Sequence, residues 1–228
     1  MTLKKKYQSQ QTAIASYDYT DINSGTGYSV FYGVNVADGT TSGSYILTDN
    51  AFYSDKITTY KEVPQAVTKF TDLSFDVQFN KPQIMGGDLI VSVPIGIGRK
   101  EGITTGIMTT NISGSIVHYD GTTETTLGTF RSTDLALDDG TNAYKTRLLS
   151  TVINISELQF KAKEILRVYI EGWSRNSAAV NRYVGIGHDP KNRPDNITLG
   201  AGAVIYDDAT TTYGITTMEV HVPFKIDI

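Results

Sequence analysis

Cysteine is absent from this 228-residue chain, which excludes a disulfide framework, a thiol nucleophile and a thiolate metal site. Packing alone must hold the fold together. Histidine is scarce, with three residues in all, so imidazole chemistry has few places to sit. Basic charge is not in excess either. The net charge is -4, and the one basic cluster, Lys4-Lys5-Lys6, lies at the start of the chain. A nucleic-acid partner, which takes a concentrated basic surface, is not expected. No apolar run approaches the length of a membrane-spanning helix. Lys6 is followed by Tyr7-Gln8-Ser9-Gln10-Gln11 rather than by an apolar segment, so neither a membrane partner nor a signal peptide is expected. The chain reads as one made in a cytoplasm and not exported by the usual route, and the sequons at Asn111, Asn154 and Asn196 carry no weight there.

What is present describes a globular protein: 39% hydrophobic and 19% charged residues, with 21 glycines and abundant Thr and Tyr. That mixture favours strands and tight turns. Residues 1–25 are polar and small with no sustained period and read as an N-terminal arm. Residues 26–228 read as one β-sandwich domain. Eight of the fourteen tyrosines lie in the first sixty residues, where Tyr suits both a strand and a protein contact.

The strongest pattern is strict alternation. Leu73, Phe75, Val77 and Phe79 alternate with polar residues, and Leu89, Val91, Val93, Ile95 and Ile97 repeat the pattern after a turn at Pro82 and Gly86-Gly87. A third row, Met218, Val220, Val222, Phe224, Ile226 and Ile228, closes the chain. Successive side chains of a strand point to opposite faces, so each row is a half-buried strand. Further strands are expected over 28–36, 44–48, 57–60, 145–155, 165–173, 180–187 and around 203–206. Val63, Ala66, Val67 and Phe70 have helical spacing after Pro64, which predicts at most two turns of helix. Asp120-Gly121 predicts a two-residue type I′ hairpin, and Asp138-Asp139-Gly140 another turn. Residues 156–163 fit either a short helix capped by Ser156 or an irregular crossing, and the β-rich context favours the crossing. The fold class is all-β: an antiparallel, jelly-roll-like sandwich of about ten strands.

Candidate chemistry is thin. Residues 96–102 are glycine-rich but match neither the dinucleotide fingerprint nor a phosphate loop, and no helix follows them. His118 and His221 fall in or beside strands. His188 stands beside Asp189 in the longest polar loop, where turn chemistry outweighs a catalytic dyad. Oxygen ligands for calcium occur at Asp189, Asn192, Asp195 and Asn196 without EF-hand spacing, and no metal or other cofactor is expected. Trp173, the single tryptophan, ends a strand on the face opposite Leu166 and Ile170, where it is either a packed edge residue or an exposed ring able to stack on a sugar or anchor a protein. Tyr17, Tyr19, Tyr28, Trp173 and His188 are the expected contact residues.

The hairpin over 115–128, the segments 160–173 and 185–190, and the terminal Val222-Pro223-Phe224 resemble the β-sandwich structural proteins of tailed bacteriophages and their metagenomic relatives. That resemblance implies a virion protein with no active site, attached to a head or tail through protein contacts. The expectation is a capsid decoration protein on the virion. It would be a homo-oligomer with major capsid or tail proteins as partners, and not an enzyme. The alternative is a carbohydrate-binding module of a tail or baseplate, with glycan as partner.

Overall fold

The computed structural model describes residues 26–36, 44–98, 106–137, 144–177, 181–193, 198–199, 203–204 and 215–225. The arm over 1–25, the turn at 138–140, the loop residues Asp195 and Asn196, and Ile226 and Ile228 lie outside them. Among the described residues every regular element is a strand.

Twelve strands join into one hydrogen-bonded sheet that doubles over into two layers. In the first layer β5 (Gln83–Gly98) carries β9 (Tyr144–Phe160) along one edge. Along its other edge it carries β14 (Glu219–Lys225) and then β11 (Arg182–Gly187). β11 pairs onward with β3 (Thr58–Val63). β14 pairs with β1 (Thr26–Val36), and β1 with β2 (Ser44–Thr48). The second layer runs from β4 (Val67–Gln78) through β10 (Ile165–Asn176) to β6 (Met108–Tyr119), whose far edge takes β7 (Glu124–Arg131) and β8 (Leu135–Leu137). A single parallel bridge, Ile46 to Asp76, links the layers. β12 (Thr198–Leu199) and β13 (Ala203–Val204) pair only with each other.

The apolar rows behave as period-two strands should. Leu166, Val168 and Ile170 of β10 are fully buried, as are Phe75 of β4 and Leu89, Val91, Val93 and Ile97 of β5. Across the layers, Phe75 stacks edge-on with Tyr45 of β2, at 5.2 Å between centroids. Phe160, at the end of β9, does the same with Phe79 at 5.1 Å. The last strand is internal, paired with β1 on one side and β5 on the other.

Three local expectations are corrected. Residues 63–70 form no helix, because Pro64 ends β3 and the chain turns into β4 by Val67; β-branched Val63, Val67 and Thr68 suit strands, and pairing outweighs a short helical period. β9 runs unbroken to Phe160, so Ser156 caps nothing. The hairpin at Asp120 exists, but with a four-residue loop, since Tyr119 pairs with Glu124. Asp120 Oδ1 accepts the N–H groups of Thr122 and Thr123 at 2.8 and 2.7 Å. This side-chain turn holds a wider loop than a bare Asp-Gly pair would, with Gly121 at φ 99°.

Candidate functional site

The expected contact residues separate. Tyr17 and Tyr19 lie outside the described residues. Tyr28, on β1, is half-buried and donates its hydroxyl to the Asp88 carbonyl at 3.0 Å. His188, expected at a surface, is 0% exposed. The reason is packing: its ring meets Tyr45 edge-on at 5.3 Å, and Nε2 shares a hydrogen bond with Thr59 Oγ1 at 2.9 Å. Burial lowers its pKa to about 4, so it is neutral at pH 7. Its neighbour Asp189 is buried as well. Burial pushes that carboxyl up, but Arg193 Nε at 2.9 Å and the N–H groups of Arg193 and Ser54 outweigh it and hold it below the usual range. A loop read as polar is thus a latch, with its polar atoms turned inward.

Trp173 remains on the surface. In β10 the even-numbered residues from Leu166 to Asn176 are buried, so Arg167, Tyr169, Glu171, Trp173 and Arg175 share the outer face of the second layer. A β-bulge sits beside Trp173. Gly172 pairs with Thr71 and Trp173 with Lys69, which leaves Phe70 as the extra residue of β4. Phe70 fills the space under Gly172, where a Cβ would lie 2.2 Å from its ring. Bulges bend a strand and re-aim the side chains next to them. Here the bulge lets Phe70 and Thr71 both turn into the core while Lys69 and Val67 stay outside.

Around Trp173 the strands assemble a polar hollow of about 400 Å³, bordered by Asn111 and Ser113 of β6, Arg131 at the end of β7, Asp134 in the link to β8, and Val67 and Arg175. Trp173 Nε1–H donates to Glu171 Oε2 at 3.2 Å, and Lys69 Nζ stands 6.0 Å from the ring centroid. Lys69 is itself held by Asp72 at 2.7 Å and Glu171 at 3.0 Å, which raise its pKa. Asn111, directly opposite Trp173 across the ladder, donates to Asp134 Oδ1 at 2.9 Å. Asp134 lies 3.7 Å from Arg131. Arg175, exposed and on the same side of β10 as Trp173, makes no ion pair with another described residue.

The same face carries a second cluster with the opposite character. Arg167 forks onto Asp76 through Nε at 2.7 Å and Nη2 at 2.6 Å. It also meets Glu124, and its guanidinium lies 5.5 Å from the Tyr119 ring centroid. Hydrogen bonding to Asp76 raises its already high pKa. The donors of Arg167 are committed, so this cluster ties β4, β10 and β7 together. A larger cleft, about 520 Å³, opens where β2 and β4 diverge, over Phe31, Leu47, Phe79 and Phe224. Its polar rim is also engaged within the protein: Lys225 with Glu157, Asp49 with Asn50, Gln78 with the Lys163 carbonyl. Among the described residues no three His, Asp or Glu side chains are grouped to hold a metal ion.

Sequence reasoning picked out Trp173 but missed Asn111, Arg131, Asp134 and Arg175. Those residues come from β6, β7, β10 and the link after β7, and their meeting depends on register between segments far apart in the chain.

No family model matches this sequence, and no curated protein matches it. In fold it is similar to a CocE/NonD family hydrolase from Staphylococcus aureus, at 11% identity and a TM-score of 0.48, over 88% of this chain and 36% of that one. It is similar to an alpha-amino acid ester hydrolase at 10% identity and a TM-score of 0.46, over 86% of this chain and 36% of that one. A structure of infectious bursal disease virus, Gx strain, matches more weakly, at 11% identity and a TM-score of 0.24 over 86% of this chain and 43% of that one. The chain spans little more than a third of the hydrolases it matches. At these identities the likeness is one of fold and assigns this chain no activity. The expectation of a phage capsid decoration protein that is not an enzyme is corrected to that extent: the fold is shared with hydrolases at TM-scores of 0.48 and 0.46 and with a virus particle only at 0.24, so it neither singles out a virion role nor excludes an enzyme.

Proposed function

We propose that this chain is a ligand-binding β-sandwich domain whose working surface is the outer face of the second layer, and that the class of ligand it takes is a saccharide. One observation carries this. Trp173 stands half-exposed in a polar hollow, its indole N–H fixed by Glu171, with Asn111, Asp134 and Arg175 around it. A sugar presents an apolar ring face and a rim of hydroxyls. An aromatic ring bordered by amide, carboxylate and guanidinium groups complements both at once. The site stands largely on strands rather than on loops, and its ring is oriented before any ligand arrives, which lowers the ordering cost of binding. As part of a hydrolase such a domain would hold substrate while another domain supplied the reacting groups.

A glycan array probed with the wild-type chain and with Trp173→Ala tests this. The expected result is binding to a restricted set of glycans that is lost in the variant while its melting temperature is kept. Absence of any binding, or equal binding by both proteins, would overturn it.

A further inference from the structure

The outer face of β10 carries two arginines in opposite states. Arg167 commits its donors to Asp76, Glu124 and Tyr169, whereas Arg175, further along the strand, is exposed and makes no hydrogen bond or ion pair with another described residue. The ladders around Arg175 are regular. Beyond the bulge, Trp173 lies opposite Lys69 and Asn111, and Arg175 lies opposite Val67 and Thr109. Residues two apart in a strand share a face and stand about 7 Å from each other. The unengaged guanidinium and the indole ring therefore border one hollow. Towards its other end, Ser113 of β6 sets Arg131 on the same face. Asp134 lies 3.7 Å from Arg131, too far for a hydrogen bond.

The acids beside the ring are already occupied. Glu171 accepts from Trp173 Nε1 and from Lys69 Nζ, and Asp134 accepts from Asn111. Lys69 is held by Asp72 and Glu171 and is not free to take a ligand's charge. What the hollow has to spare is guanidinium donors. The hydroxyls of a neutral sugar give such a group little that water does not. A carboxylate matches its two parallel N–H groups and forms the stronger, charge-assisted bond. In a uronic acid the carboxylate projects from the edge of the sugar ring, so a ring lying on the indole directs it along the sheet, where Arg175 stands. We infer that the hollow takes a saccharide that carries a carboxylate, with its ring on Trp173 and its carboxylate in the fork of Arg175, which rests on the saccharide reading of the same site.

An array of uronic-acid oligosaccharides, the same oligosaccharides reduced at the carboxyl group, and sulfated oligosaccharides without uronic acid tests this with the wild-type chain, Arg175→Gln and Trp173→Ala. The expected result is that the wild type binds one or more uronates roughly tenfold tighter than their reduced forms, the difference between a charge-assisted fork and neutral hydrogen bonds. Arg175→Gln should bind acid and reduced forms alike, and Trp173→Ala should bind neither, both with the wild-type melting temperature. A wild type that binds the reduced form as tightly as the acid overturns the inference and leaves the saccharide reading in place. So does an Arg175→Gln variant that keeps the preference, or a wild type that prefers the sulfated sugars. Absence of binding to every member of the array overturns both.

Discussion

Phe224 of the last strand stands edge-on to Phe79 at the end of β4, with ring centroids 5.7 Å apart and planes at 88°. Phe31 of β1 meets the other side of Phe224 at 6.4 Å. Three aromatic rings far apart in the chain thus meet at the mouth of the sandwich. Because Phe224 is only partly buried and borders the larger cleft, Phe224→Ala should cost about 2 kcal/mol, below the roughly 3–5 of a fully buried ring. Lys225→Ala, which breaks only an exposed pair with Glu157, should cost within about 0.5 kcal/mol. Urea titration of the two variants checks the contrast.

Gly172→Ala should be costly because the added methyl lands on the Phe70 ring. Overpacking of this kind typically costs about 1–3 kcal/mol, and here it also strains the bulge that sets Trp173. Since Trp173 is the single tryptophan, its fluorescence reports the site directly. A shifted emission maximum in the native variant, together with a lowered urea midpoint, is the expected outcome.

Acid should weaken the fold in two steps. His188 is held neutral with a pKa of about 4 against an ordinary 6.5, so the unfolded chain takes up this proton first. Its contribution is complete above about pH 6.5 and is lost as the pH falls towards 4. The loss is on the order of 3 kcal/mol. Glu164 follows at lower pH. The Lys161 N–H, and then His118 Nε2 at 2.7 Å, hold its carboxyl below the ordinary 4.5 despite burial. The stability from this depressed acid is present above the ordinary value and disappears as the pH drops through the folded one. Thermal unfolding across this range should show both declines, and His188→Gln should flatten the first.

Arg167→Met should leave Asp76 with a carboxylate only 30% exposed and without its forked partner. The expected cost is about 1–3 kcal/mol. Adding Asp76→Leu should recover part of it, since the stranded charge is then gone. A double-mutant cycle in urea measures the coupling.

Much of this architecture was legible because a half-buried strand writes its two faces into the sequence as alternation. Leu73 to Val77 and Leu89 to Ile97 needed no further information. What stayed hidden was whatever depends on which strand lies beside which. The neighbours of Trp173 come from β6 and β7, and nothing in residues 165–176 announces them. The helix expected over 63–70 failed because Phe70 belongs to a bulge, and a bulge breaks the period of two without producing a true helical one. His188 and Asp189 misled for a different reason: a loop composition suggests exposure, yet inside the fold Thr59 meets His188 Nε2 while Arg193 and Ser54 hold the Asp189 carboxylate.

The position of β14 sets the order in which the protein can be made. Its seven residues, Glu219–Lys225, slot between β1 and β5, which the ribosome delivers more than a hundred residues earlier. Until the last strand emerges, the first layer has a gap at its centre and two bare strand edges facing it. Closure of that layer therefore waits until β14 has been made, and the nascent chain must carry its open seam to that moment.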